Sequence, residues 1–201
     1  MRRVPENASL HDATVVLDDR AILRSITLEL TPGLTIVRGV NGAGKTTLLR
    51  AFAGLAPLAR GQRDVAAPPL FIGHRPMLLR GLSARENLVF LASFRGLPRA
   101  DAAVALRRWG LEAEMDRPVD RLSAGQRRRA ALARMDTEPV PLVLLDEPFA
   151  DLDSDALVRL RAAINSAIAR GQTVLMATHM HHELDEFATR RLVIRDGALH
   201  D

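Results

Sequence analysis

A chain of 201 residues that is 47% apolar but only 3% aromatic can bury an aliphatic, alanine-rich core, enough for one domain with an inserted lobe. Cysteine is absent, which excludes disulfides and cysteine-based zinc or iron–sulfur sites. No run approaches the roughly 18–20 uncharged apolar residues that cross a bilayer, and Met1–Asn7 lacks the apolar stretch of a signal peptide, so the expected location is the cytosol.

The net charge is +4, and 27 of the 28 basic residues are arginines, with Lys45 the lone lysine. The arginines are scattered, with one dense run at Arg127-Arg128-Arg129. This reads as arginine-rich solvated faces before it reads as a nucleic-acid footprint, with attraction to anionic lipid headgroups left open.

In chain order, residues 10–17 and 21–30 alternate loosely around Asp18-Asp19-Arg20 and predict an antiparallel hairpin. Leu34–Val37 predicts a short buried strand, followed by a glycine-rich turn and a helix over Thr46–Ala53 that stops at Gly54. Leu70–Ile72 is a further strand. Ser83-Ala84-Arg85-Glu86 is a capping box opening a helix to about Phe94. Helices follow over Asp101–Trp109 and Gly125–Met135, then a buried strand at Leu142–Leu145, a helix over Ser154–Ala169, and strands at Thr173–Ala177 and Leu192–Ile194 before an Asp196-Gly197 turn. Strands alternating with helices imply an α/β fold with a mainly parallel sheet. The nearly all-helical stretch from about 75 to 135 is expected to form a lobe within a single domain spanning 1–201.

Gly39-Val40-Asn41-Gly42-Ala43-Gly44-Lys45-Thr46 satisfies the phosphate-loop pattern in its required context, after a strand and before a helix. The backbone N–H groups of Gly39, Asn41, Gly42, Ala43 and Gly44, with the helix start at Lys45, Thr46 and Thr47, form a candidate ATP cradle. Lys45 is the candidate contact to the β- and γ-phosphates, and Thr46 a candidate Mg²⁺ ligand. The apolar run Leu142–Leu145 ends in Asp146, a second candidate Mg²⁺ ligand, and Glu147, the candidate general base. Alone, these features describe a nucleoside triphosphatase of the phosphate-loop class.

Leu122-Ser123-Ala124-Gly125-Gln126 narrows this. It resembles the signature of the ABC ATPase family with alanine at its third position, and 23 residues separate Ser123 from Asp146, as the family's spacing requires. Asp151 and Asp153 in Ala150-Asp151-Leu152-Asp153 resemble the family's D-loop. His179, 32 residues past Glu147, matches its switch histidine. His181 and His182, beside Glu183, match nothing in the family and read as surface residues. The resemblance implies a P-loop NTPase core of ABC type, with an N-terminal antiparallel β subdomain and an inserted helical lobe. It also implies ATP and Mg²⁺ as cofactors and a head-to-tail dimer in which Leu122–Gln126 act in trans on the nucleotide held by the other copy. Hydrolysis would drive separate integral membrane subunits from the cytoplasmic face of the inner membrane.

Within the family, Phe71-Ile72-Gly73-His74-Arg75-Pro76 followed by Leu82-Ser83-Ala84-Arg85-Glu86-Asn87-Leu88 resembles the ATP-binding subunits of heme exporters in cytochrome c maturation. Export of another cargo, lipid or drug, is the alternative, because membrane subunits choose the cargo. An ABC ATPase acting on nucleic acid is a further rival. Against it stand the missing cysteines and the lack of sustained heptads between Lys45 and Ser123, so no nucleic-acid partner is expected.

The chain departs from the family pattern twice. Arg75 stands where a metal-contacting glutamine belongs, and arginine neither accepts a hydrogen bond nor ligates a metal; either it touches phosphate instead or that role is dispensable. Leu17 stands where an aromatic stacks on adenine, and the chain has no tyrosine, so weak base recognition is expected.

Overall fold

The computed structural model describes residues 8–98, 100–179 and 184–200. Met1–Asn7 and the residues His181, His182 and Glu183 discussed above lie outside the described residues.

The chain divides into two compact units. The first is Met1–Gly73, Val140–Pro148 and Ala167–Asp201; the second is His74–Pro139 and Phe149–Ser166. The first unit opens with β1 (Ala8–Leu17) and β2 (Arg20–Leu30), paired antiparallel around a two-residue turn. Asp18 and Asp19 both adopt positive φ, 46° and 59°, the backbone that a tight right-twisted hairpin needs and that aspartate tolerates. β4 (Arg60–Asp64) pairs with the other edge of β1, completing a three-stranded antiparallel sheet of order β2-β1-β4.

The second sheet of this unit contains β3 (Gly33–Arg38), β5 (Leu70–Ile72), β6 (Leu142–Asp146), β7 (Thr173–Thr178), β8 (Ala188–Arg195) and β9 (Ala198–His200), in the order β5-β6-β7-β3-β8-β9. The first five strands run parallel and β9 pairs antiparallel with β8. β6 and β7 are buried along their whole length and β3 up to Arg38, as expected of central parallel strands covered on both faces. Helix α1 (Lys45–Ala53) buries Leu48, Leu49 and Phe52 in a core shared with Leu144, Leu175 and Ala177.

The second unit carries α2 (Ala84–Phe94), α3 (Ala102–Arg108), α4 (Ala124–Leu132) and α5 (Arg134–Thr137). Helix α6 (Ser154–Ala169) begins in this unit and ends in the first. The expected capping box forms at α2. Ser83 Oγ accepts from Glu86 N–H at 3.2 Å, and the Glu86 carboxylate accepts from Ser83 N–H at 2.8 Å, which holds the Glu86 carboxyl below the usual carboxylate range.

Three details differ from expectation. β4 was not foreseen, because all five of its residues are exposed and it has no apolar alternation to betray it. The single helix expected over Gly125–Met135 is two, α4 and α5. The ladder tightens at Ala133, whose carbonyl accepts from Asp136 N–H only three residues on, and Arg134 turns inward to pair with the fully buried Glu138 at 2.5 Å. The last strand runs the full length of β8, and its Asp196-Gly197 turn continues into β9.

Candidate functional site

β3 delivers the chain to the phosphate loop and α1 carries it away. Gly39 is confined by β8: a β-carbon there would lie 2.5 Å from the Ile194 carbonyl oxygen, so only glycine lets the loop leave the sheet at this point. Gly44 caps α1 in the left-handed region, φ 107°, without a side-chain cap. The first helical hydrogen bond runs from Leu48 N–H to Gly44 O at 2.8 Å. The N–H groups of Lys45, Thr46 and Thr47 therefore have no partner within the helix. No acidic residue occupies the first turn, so the positive end of the helix is left uncompensated. That is a cradle for an anion.

The side chains predicted for this cradle come together. Lys45, only 6% exposed, donates through Nζ to the Gly39 and Val40 carbonyls at 2.7 and 3.2 Å, bridging the start of its own loop. Its Nζ also lies 3.8 Å from Glu147 Oε1. The Thr46 hydroxyl reaches Asp146, at 2.9 Å from Oδ2 and 3.1 Å from Oδ1. Asp146 is the buried last residue of β6, placed beside Ala177 of β7 by the strand register.

Glu147 keeps the ladder going by donating its N–H to Ala177 O at 2.9 Å, yet its φ is +46°. A non-glycine residue in that region costs on the order of 1–3 kcal/mol and persists only where its surroundings hold it. The turn directs the carboxylate toward the next strand end, where Oε1 accepts from His179 Nδ1 at 2.9 Å. His179 also lines an open cavity of about 650 Å³ with Gly39, Val40, Asn41, Val193, Arg195 and Asp196. Arg195 and Asp196 were not anticipated; the only signal there was the turn at Asp196-Gly197.

The remaining candidates, Leu17 apart, fall in the second unit. Ser123 caps α4 with Leu122 buried behind it; Ser123 Oγ accepts from Gln126 N–H at 3.1 Å, and Gln126 Oε1 accepts from Ser123 N–H at 2.8 Å. Used in this way as an acceptor, the hydroxyl keeps its own proton to donate. Ser123 and Ala124 are exposed at the helix start. A β-carbon on Gly125 would lie 2.7 Å from the Asp151 carbonyl oxygen, so Gly125 packs directly on the Asp151 backbone. Asp151 has a φ of +61°, and Asp153 caps α6 by accepting from Ala156 N–H at 2.8 Å. Arg75 is exposed and lines a cavity of about 530 Å³ with Met77, Arg80, Asp120 and Arg127. Leu17 ends β1, 41% exposed.

A family model for the ABC transporter matches residues 23–150. The chain belongs to the ABC transporter ATP-binding family. It is an ATP-hydrolysing subunit of a transporter of this type.

Among relatives within the family, it is 40% identical over 198 residues to the cytochrome c biogenesis ATP-binding export protein CcmA of Bordetella bronchiseptica, covering 86% of this chain and 88% of that one. To the protein of the same name from Xanthomonas axonopodis pv. citri it is 34% identical, covering 98% of both. The fold is shared with a solved ATP-binding subunit of an ABC transporter, at a TM-score of 0.87 and 22% identity, covering 96% of this chain and 87% of that one. It is shared equally with the dimeric bacterial ABC transporter cassette MJ0796, at a TM-score of 0.85 and 20% identity, covering 96% and 97%. Among the described residues no helix is long and apolar enough to cross a membrane.

Proposed function

We propose that this chain is the ATP-hydrolysing subunit of an exporter serving cytochrome c biogenesis, as the names of its 40%-identical relatives indicate. Heme as the cargo follows from the subfamily resemblance of its Gly73–Leu88 stretch. In this reading the whole chain acts as one nucleotide-binding domain. It works as a head-to-tail pair of copies at the cytoplasmic face of the membrane, bound to integral membrane subunits that carry the cargo.

The observation that carries the chemistry is the convergence of Lys45, Thr46, Asp146, Glu147 and His179 at the ends of β3, β6 and β7. The α1 N-terminus and the loop amides bind the phosphates of ATP, and Lys45 exchanges its carbonyl partners for β- and γ-phosphate oxygens. The Thr46 hydroxyl and the Asp146 carboxylate, both hard oxygen donors within 3.1 Å of one another, suit Mg²⁺ and would hold it. When bound, that ion supplies positive charge against the phosphate oxygens.

Glu147 orients the attacking water and takes its proton on the carboxylate. With Nδ1 donating to Glu147, His179 offers Nε2 to the γ-phosphate, and donates from it only as imidazolium. The Ser123 hydroxyl and the α4 N-terminus of the second copy complete the phosphate's other side.

The Glu147→Gln variant tests this, since it removes the base and keeps the shape. Turnover should fall by about 10²–10⁴-fold, with ATP binding retained and a dimer trapped by ATP. Turnover within a few-fold of the parent would refute the assignment of Glu147.

A further inference from the structure

One side of the phosphate loop opens onto the cavity of about 650 Å³ that Gly39, Val40, Asn41 and His179 share with Val193, Arg195 and Asp196, all in the first unit. The loop lacks a cover there, with Val40 77% exposed. Arg195 is fixed in this wall by its backbone. It follows Ile194, whose carbonyl oxygen closes on Gly39, and it pairs with Ala198 across the β8–β9 turn. That turn is tied to β2, since Gly197 O accepts from Arg24 N–H at 2.8 Å. Arg195 is exposed and makes no hydrogen bond or ion pair among the described residues, even with Asp196 next in the chain.

The second unit presents the matching charge. Asp151, Asp153 and Asp155 alternate with uncharged residues. Asp153 is occupied by the α6 cap. Asp151 is exposed, and its carboxylate has no polar partner among the described residues. Its backbone is packed against Gly125, two residues past Ser123. The serine and this carboxylate therefore form one block within their unit.

We propose that Arg195 of one copy pairs with Asp151 of the second copy, so that the cavity beside the phosphate loop seats the second copy's Asp151 segment. This rests on the reading in which Ser123 acts on the nucleotide held by the other copy. A movement that brings Ser123 to the end of the phosphate chain brings Asp151 with it, beside the loop. The cavity is where the loop has room to receive it, and Arg195 is the unpaired cation there. A guanidinium fork suits a carboxylate approaching from outside. Two-fold symmetry repeats the pair at both ends of the dimer. The pair thus joins the copies without involving any nucleotide atom.

The test uses Glu147→Gln as the parent background and reads the dimer dissociation constant by sedimentation under saturating ATP. Arg195→Glu sets like charges against each other at both contacts and should weaken the dimer about 100-fold, roughly tenfold per contact. Asp151→Arg should do the same. Asp151→Asn keeps a residue suited to the positive φ of this position, 61°, and removes the charge. It should weaken the dimer about 3–10-fold. The exchanged pair Asp151→Arg/Arg195→Glu should return to within about 10-fold of the parent. In the Ser123→Arg background, where no dimer forms, Arg195→Glu should leave ATP affinity unchanged.

Single charge variants that dimerise like the parent, while Ser123→Arg does not, would overturn the pair and leave the shared pocket intact. An exchanged pair no tighter than either single variant would overturn it too. So would a loss of single-copy ATP affinity in Arg195→Glu, which makes Arg195 a nucleotide contact. If the parent itself forms no dimer with ATP, the shared pocket fails and the pair with it.

Discussion

Two helices of the second unit begin with a serine and close the same reciprocal cap, but with different partners. At α2 the residue reaching back to Ser83 is Glu86, a carboxylate; at α4 the residue reaching back to Ser123 is Gln126, a neutral amide. Both satisfy backbone donors equally well. The carboxylate also fills the positive end of the helix, so α2 has nothing left to offer an anion. The amide leaves the α4 end positive and the Ser123 proton free. The α1 helix goes further in the same direction, with neither a side-chain cap nor an acid in its first turn. Charge at the third helical position separates a cap that closes a helix from one that keeps it ready for a phosphate.

That contrast can be broken in order of force. Ser123→Arg places bulk and charge at the exposed start of α4; it should leave nucleotide affinity of the single copy intact while cutting dimer turnover by about 10²-fold or more, the size of a lost transition-state donor. Gln126→Glu keeps the cap but fills the α4 end with a negative charge. Turnover should fall about 10-fold, roughly the 1–2 kcal/mol of a misplaced charge at a helix terminus, with Tm equal to or above that of the parent by calorimetry. Ser83→Ala should do the reverse, costing about 1 kcal/mol of stability in denaturant melts with turnover per folded molecule unaltered. Glu86→Gln is the gentlest, converting α2 to the α4 arrangement with a slight loss of stability and without effect on ATP hydrolysis.

Candidate residues whose proposed chemistry demands one amino-acid type could be picked out in the sequence. A lone lysine in Gly39–Thr46, a serine 23 residues before Asp146 and a histidine 32 residues after Glu147 carry their own spacing. The hairpin turn at Asp18-Asp19 and the cap at Ser83–Glu86 were readable for the same reason, since each needs particular side chains locally.

What stayed hidden depends on partners distant in sequence. β4 exists because β1 offers it a free edge, and its own exposed residues say nothing of that. The positive φ of Glu147 follows from the ladder to Ala177 and the bond to His179, not from any preference of glutamate. Arg195 and Asp196 join the wall beside Gly39 only because β8 lies next to β3. Arg38 and Asp185, 147 residues apart, meet because β8, which Asp185 shortly precedes, lies beside β3.

The most direct measurement mixes two variants that are each inactive alone, Lys45→Ala and Ser123→Arg. If each pocket combines the phosphate loop of one copy with the signature of the other, a mixed dimer has one pocket carrying both lesions and one carrying neither. Turnover should then reappear on mixing, approaching about a quarter of the parent value when half the dimers are mixed and one of two sites is whole. A mixture as inactive as its components, or a Ser123→Arg protein that already hydrolyses ATP at the parent rate, contradicts the shared pocket.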